Sequence, residues 1–160
     1  MHGDVCTWRS ARIVACSMAV LVVASGGLNA GVSAQQRATE VAVQRVVDDY
    51  IGLYRKDSLP QWKTLFLPGF TAAYTNADGG VTTRTLEEFY ERQRAAFERE
   101  AISETLDNVR INRAGRLAHV FADFRFTSGS TTRHGQLMLL MIEVKGQFRI
   151  AALTFTYDVR

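Results

Sequence analysis

The sequence is poor in cysteine, and this shortage excludes several kinds of chemistry. The only two cysteines among the 160 residues are Cys6 and Cys16, both near the N-terminus. From residue 35 onward the chain therefore has no disulfide, no reactive thiol and no cysteine ligand for a metal ion. We expect this part of the chain to be stabilised by its hydrophobic core.

Long apolar runs are also scarce. One run, residues 13–24, follows Arg9 and Arg12 and is followed by small residues that end at Ala34. This order is typical of a signal peptide over residues 1–34, and it predicts cleavage near Ala34 and a secreted or periplasmic location. The run is shorter than the roughly 20 residues of a spanning helix, so we expect no stable membrane anchor. An uncleaved N-terminal anchor is the alternative.

A strong excess of either charge is missing as well. Of the 19 basic and 16 acidic residues, Arg9, Arg12 and Asp4 precede position 35, which leaves 17 basic and 15 acidic residues and a net charge of +2. Because the positive and negative charges nearly cancel, we expect no nucleic acid partner. His119 and His134 lack a carboxylate at ligand spacing, so we expect no metal and no other cofactor.

Residues 35–160 have the patterning of one domain that begins with helices. Val43, Val47 and Tyr50 recur at helical spacing after Thr39, which is the predicted N-cap of a first helix. A second helix contains residues 62–66 and stops at Pro68 and Gly69. Thr85 to Glu88 forms a capping box that opens a third helix.

Alternation with a period of two predicts the strands. Residues 70–76 read as a first strand, with 81–83 as its short partner, and four more strands cover 104–113, 116–127, 133–145 and 147–158. The breaks between the last four are short enough for hairpins. The sequence thus predicts an α+β domain in which three N-terminal helices pack on a curved antiparallel sheet.

The strand over residues 116–127 has two different faces. One row is uniformly apolar and contains Ala118, Val120, Ala122, Phe124 and Phe126. The other row is mixed and contains Leu117, His119, Phe121, Asp123 and Arg125. Because polar groups avoid a dry core, we expect the mixed row to face a half-polar cavity.

The neighbouring strand carries a matching pair of rows. If the two strands pair so that their mixed rows lie side by side, Arg125 is expected opposite Gln136 and Asp123 opposite Met138. The uniform row is then left on the other face of the sheet, where a second copy of the chain would cover it. The sequence therefore predicts a homodimer through the sheet.

Four short segments resemble the nuclear transport factor 2-like superfamily: residues 49–51 (Asp-Tyr-Ile), 62–66 (Trp-Lys-Thr-Leu-Phe), 85–89 (Thr-Leu-Glu-Glu-Phe) and 146–150 (Gly-Gln-Phe-Arg-Ile). The last is similar to the Gly-x-Trp-x-Ile ending of that superfamily, with Phe148 in place of tryptophan. The resemblance covers nearly all of residues 35–160. It implies a cone-shaped α+β barrel in which a curved sheet encloses a central, largely apolar pocket.

The superfamily includes ketosteroid isomerase, scytalone dehydratase, polyketide cyclases and small secreted proteins, some of them lumazine-binding-like. Its isomerase-type members carry a general-base carboxylate on the first strand and an acid in the meander. Here Tyr74 and Met138 lie near those two places. This departure from the pattern counts against steroid-isomerase chemistry.

We predict that the pocket holds a small hydrophobic or aromatic ligand. The predicted ligand-binding residues are aromatic side chains and members of the mixed rows: Tyr50, Tyr54, Trp62, Phe66, Tyr74, Phe89, Phe121, Asp123, Arg125, Gln136, Met138 and Phe155. The leading hypothesis is a secreted binding or accessory domain without assigned catalysis. One alternative is a cofactor-free lyase, isomerase or hydrolase in which Asp123 moves a proton and Tyr74 or His134 steadies the charge. A structural protein-interaction module is the other.

Overall fold

The structure is a computed structural model that describes residues 34–76 and 79–158. The predicted signal peptide lies outside this part except for Ala34, which is the first residue of a helix. In chain order the elements are α1 (Ala34–Gly52), a 3-10 turn (Lys56–Ser58), α2 (Leu59–Lys63), β1 (Phe66–Thr75), β2 (Val81–Thr85), α3 (Leu86–Arg99), β3 (Ile102–Ala114), β4 (Leu117–Ser128), β5 (Thr131–Val144) and β6 (Gln147–Tyr157). None of the described helices combines the length and the apolar character needed to span a membrane.

The six strands form one mixed sheet in the order β2-β1-β6-β5-β4-β3. Strands β3 to β6 form the predicted antiparallel meander, and β2 pairs with β1 as an antiparallel hairpin. β1, however, runs parallel to β6, with Tyr74 opposite Phe155. The prediction of a wholly antiparallel sheet is therefore wrong. A parallel pair needs a long connection, and the chain from β2 to β5 supplies it.

α3 begins where its sequence predicts. The backbone N–H of Glu88 donates to Oγ1 of Thr85, and the backbone N–H of Thr85 donates to the Glu88 carboxylate at 2.8 Å. This reciprocal capping box satisfies two amides at the helix start. It fixes the junction at which β2 ends and α3 begins.

Two other boundaries differ from the prediction. Thr39 lies inside α1 and is not its N-cap, because residues 34–38 (Ala-Gln-Gln-Arg-Ala) are mostly strong helix formers. Phe66 was expected in the second helix, but α2 ends at Lys63 and Phe66 opens β1. The ring of Phe66 packs edge-on against Trp62, with centroids 4.6 Å apart, so tertiary packing decides its conformation.

The core lies between the helices and one face of the sheet. The uniform row of β4 is buried there: Ala118, Val120, Ala122 and Phe124 are at most 5% exposed. On the other face, Leu117 is 45% and Phe121 is 36% exposed. The predicted orientation of β4 is therefore wrong. Only a wholly apolar row can be buried against apolar helix faces without leaving polar groups unpaired.

The mixed rows of β4 and β5 lie side by side, as predicted, but in a different register. Asp123 is opposite Gln136, and Arg125 is opposite His134. The pairing continues to Ser128 and Thr131, so the hairpin loop has only two residues, and Gly129 takes a positive φ of 57°. A shift by two residues leaves every side chain on its original face.

Candidate functional site

A cavity of about 1260 Å³ is lined by residues of α1, α3 and the inner face of the sheet. Its buried wall consists of aromatic and aliphatic side chains that are at most 6% exposed: Tyr50, Tyr54, Phe89, Phe124, Leu137 and Leu153. Its rim is polar and exposed, with Asn76, Arg92, Arg99, Glu100, Arg133 and Asp158. An apolar wall with a few polar groups is the usual composition of a site for an organic molecule.

The aromatic wall is held from behind by Trp62, whose side chain is fully buried. Its ring centroid lies 5.6 Å from that of Tyr50, 5.2 Å from that of Tyr54 and 5.8 Å from that of Phe89. The Tyr54 hydroxyl donates to Oε1 of Gln93 on α3 at 2.5 Å. These contacts fix the position of both tyrosine rings at the cavity.

A second aromatic group lies closer to the rim. Tyr74 on β1 stacks on Phe155 of β6, with centroids 4.8 Å apart and planes 14° apart. The Tyr74 hydroxyl accepts a hydrogen bond of 2.8 Å from Nε of Arg84. Arg133 lies over the ring of Tyr157 at 5.3 Å. The entrance therefore combines rings with guanidinium groups.

The acidic residue of the inner wall is Glu104. It lies on β3 in the row of Ile102 and Leu106, which faces inward. The Tyr50 hydroxyl lies near this carboxyl group and interacts with it. Burial raises the pKa of Glu104 to about 7, although the interaction with Tyr50 lowers it. Near neutral pH this carboxyl is therefore present in both protonation states.

The phenols around Glu104 stay protonated. Burial, and after it the charge of Glu104, raises the pKa values of Tyr50 and Tyr54 well above their usual range. Burial also raises the pKa of Tyr157. These hydroxyls therefore keep their protons at physiological pH. The proton of Tyr54 is donated to Gln93, and the hydroxyl oxygen can still accept a hydrogen bond from a ligand.

The structure brings about half of the predicted site residues to this cavity. Five of them line it: Tyr50, Tyr54, Tyr74, Phe89 and Phe155. The candidate His134 is on the exposed rim. Trp62 and Phe66 are buried behind the wall and do not line it. The binding role of all these residues stays a prediction.

The remaining five predicted residues are on the outer face of the sheet: Phe121, Asp123, Arg125, Gln136 and Met138. They do not line the large cavity, because the uniform row of β4 occupies the inner face. Asp123, Arg125 and Gln136 instead line a smaller cavity of about 310 Å³ together with His134. Oδ2 of Asp123 accepts a hydrogen bond of 2.7 Å from Nδ2 of Asn108, which has a positive φ of 52° next to a register shift in β3. Asp123 therefore has a structural partner away from the cavity.

Sequence reasoning missed Glu104 and Tyr157. The signal for Glu104 was a single acidic residue in the alternating row of Ile102 and Leu106. Tyr157 continues the row of Leu153 and Phe155 at the end of β6. Within the described residues, no cluster of three or more His, Cys, Asp or Glu side chains could hold a metal ion.

Comparison with known proteins gives information on the fold. No protein-family model and no curated protein matches the sequence. Similar solved structures include a single-residue variant of Rv3472, a protein of unknown function from Mycobacterium tuberculosis. It is 17% identical over 79% of this chain and 75% of its own, with a TM-score of 0.66.

Two other structures are comparably similar. A proposed scytalone dehydratase from Novosphingobium aromaticivorans is 15% identical over 77% of this chain and 86% of its own, with a TM-score of 0.64. A nuclear transport factor 2-like protein of unknown function from Pseudomonas putida is 12% identical over 81% of this chain and 92% of its own, with a TM-score of 0.66. At such identities the likeness concerns architecture alone. The chain has the nuclear transport factor 2-like fold, an α+β architecture with three helices on a six-stranded mixed sheet.

Proposed function

We propose that this protein is a secreted small-molecule-binding domain that holds a hydrophobic or aromatic ligand in the cavity between its helices and sheet. The apolar body of the ligand lies against the rings of Tyr50, Tyr54, Phe89 and Phe155. Hydroxyl groups of the tyrosines and the carboxyl of Glu104 orient its polar end. The N-terminal signal directs the chain out of the cytoplasm.

The observation that carries this proposal is the cavity itself. A volume of about 1260 Å³ is somewhat larger than that of a typical ligand pocket, roughly 300–1000 Å³. Its wall is held by packed rings of the core. A cavity that is formed before binding loses little free energy in ordering its own side chains when a ligand enters.

Thermal stabilisation by ligands tests the proposal. A compound present at a hundred times its Kd stabilises the folded form by about 2.7 kcal/mol, which raises the Tm by several degrees. We expect a panel of aromatic and polycyclic compounds to contain such ligands. If no compound of a broad panel raises the Tm, the proposal fails.

Two phenylalanine variants on α3 show whether the ligand occupies this cavity. Ala96 lines the cavity, whereas its neighbour Ala95 is exposed and does not. Ala96→Phe places a ring in the binding space and is expected to weaken binding at least tenfold. Ala95→Phe adds the same ring to the surface and should bind like the wild type. Equal affinities of the two variants would place the ligand elsewhere.

One observation favours a second candidate function, a cofactor-free enzyme that uses acid–base catalysis. A carboxyl with a pKa of about 7 inside a largely apolar cavity is suited to accept and return a proton. In this case Glu104, rather than Asp123, moves the proton. Any ligand found by thermal stabilisation should then be converted to product, as followed by mass spectrometry. Turnover should be lost in Glu104→Gln and retained in Asp123→Asn.

A further inference from the structure

Glu104 is a half-buried acid with an incomplete set of partners. Its Oε1 is buried and has no hydrogen-bond partner among residues 37–76 and 79–158. The Tyr50 hydroxyl interacts with the carboxyl group, which leaves most of the acceptor capacity of that group unused. Buried acceptors are nearly always paired, and an unpaired one calls for an explanation.

The same carboxyl also lacks a counter-ion. The ion pairs in the described part of the chain join Lys56 to Glu98, Lys63 to Glu87 and Arg94 to Glu91, and none involves Glu104. A buried carboxylate without a cation is unfavourable, because low polarity around it weakens its solvation. A positive group at this place would therefore be strongly favoured.

The groups near Glu104 are aromatic and neutral. They are the phenols of Tyr50, Tyr54 and Tyr157, whose pKa values its charge raises. Aromatic rings can also attract cations. A carboxylate among neutral rings is an environment suited to an ammonium group.

The positive side chains of the cavity stay at its rim. Arg92 and Arg133 lower the pKa of Tyr157, and Arg133 lies over the ring of that residue at 5.3 Å. The influences on Glu104 are burial and the interaction with Tyr50, with no arginine among them. Among the described residues that line the cavity, its inner end therefore has no cation.

We propose that the ligands of this cavity are hydrophobic amines, whose ammonium group pairs with the carboxyl group of Glu104 while the apolar body lies against the aromatic wall. This inference rests on the proposed binding function and names its ligand class. An ammonium group supplies both missing features at once, because it carries a positive charge and donates hydrogen bonds. A neutral hydrocarbon supplies neither.

Calorimetric titration of the purified protein with four naphthalene compounds tests the proposal: 1-naphthylmethylamine, 1-naphthalenemethanol, 1-naphthoate and 2-acetonaphthone. All four share the apolar body, so they differ mainly in the polar group. At pH 7.5 we expect the amine to bind at least tenfold more tightly than the alcohol, and the naphthoate most weakly. Equal affinity of amine and alcohol overturns the proposal. This comparison needs only the wild-type protein.

Two matched variants locate the charge that selects the amine. Glu104→Gln keeps the shape of the side chain and removes its charge, so the preference for the amine over the alcohol should vanish while the alcohol still binds. Glu100→Gln removes the same charge from the exposed rim and should keep the preference. A preference that survives in Glu104→Gln overturns the proposal. Failure of all four compounds to bind the wild type overturns the proposed function together with this inference.

The pH dependence distinguishes an amine from a carbonyl ligand. The titratable groups that interact with Glu104 are Tyr50, Tyr54 and Tyr157, which stay neutral near pH 7, and the cationic side chains of the cavity are at its rim. The amine binds the ionised carboxylate, so its affinity should rise from pH 5.5 to pH 7.5, with release of a proton on binding. Tighter binding of 2-acetonaphthone than of the amine, weakening as the pH rises, would assign a protonated carboxyl that donates to a carbonyl and would overturn the proposal.

Discussion

At the scale of single residues, Glu104 makes the stability of the fold depend on pH. Its pKa is about 7 in the folded protein and about 4.3 in an unfolded chain. Between these values the folded state binds more protons, so the free energy of unfolding falls as the pH rises. The stabilisation is complete below about pH 4 and is lost above about pH 7, and it amounts to at most about 4 kcal/mol.

The first prediction follows from this decrease in the free energy of unfolding with rising pH. Glu104→Gln cannot ionise, so relative to the wild type it should become more stable as the pH rises from about 5 to about 8. Urea unfolding at both pH values measures the difference between the two proteins. A difference that stays constant over this range would show that Glu104 titrates with an ordinary pKa.

Gly135 gives a second prediction at the same scale. A Cβ atom at this position would lie 2.0 Å from the carbonyl oxygen of Thr156 and 2.8 Å from Cε1 of Phe124. Gly135→Ala must therefore displace the backbone of β6 and the ring of Phe124, which lines the cavity. We expect a loss of about 2 kcal/mol or more, as in other overpacked cores.

Thermal unfolding of Gly135→Ala measures this loss, and Gly69→Ala is the matched control. Gly69 has open space where the new atom would lie. Its substitution should change stability by less than about 1 kcal/mol. Equal stability of the two variants would contradict the close contact at Gly135.

At the scale of elements, the start of α3 depends on one side chain. Thr85→Ala removes the oxygen that accepts the backbone N–H of Glu88. Loss of such a cap costs about 1 kcal/mol. Thr83→Ala on β2 changes the same residue type at an exposed position away from the cap and should cost less. Urea unfolding of both variants checks the difference.

The sequence is informative about where elements begin and end, because these signals are local. The capping box at Thr85, the turn at Gly146 and the alternation along each of the last four strands are each encoded by residues a few positions apart. Strands β3 to β6 fall within about two residues of their predicted bounds. The parallel pairing of β1 with β6 joins residues some 80 positions apart, and no local pattern encodes it.

The choice of the buried face of β4 required information from other elements. Polarity in the mixed row was taken as a sign of a half-polar cavity. The polar groups of the actual cavity come from elsewhere, from Glu104 on β3 and from Tyr50 on α1. A cavity takes its chemistry from every element around it, so the composition of one strand does not identify its inner face.

At the scale of the whole molecule, the outer face of the sheet is expected to carry a second copy of the chain. Its apolar residues include Leu117 and Phe121, which are 45% and 36% exposed. Leu140 and Met138 lie opposite His119 and Phe121 in the same face. The sequence predicted a dimer through the uniform row, but the structure leaves the mixed row available for it.

Light scattering combined with size-exclusion chromatography tests this expectation. Phe121→Glu places a charge on the outer face and should shift the protein from dimer to monomer at micromolar concentration. Val41→Glu is the control, because Val41 is 50% exposed on α1, away from the sheet. A wild-type protein that is monomeric, or a Phe121→Glu variant that stays dimeric, would contradict a dimer through this face.

The position of β6 determines when the architecture can be completed during synthesis. β6 is the last strand in the chain, yet it lies third in the sheet and joins β1 to β5. Before it emerges from the ribosome, the hairpin of β1 and β2 has no connection to the meander. Tyr74 on β1 and Leu137 on β5 both line the cavity but lie on opposite sides of β6, so without β6 they do not belong to one continuous surface. The two sides of the cavity therefore come together only after β6, which ends at Tyr157, has paired with both neighbours.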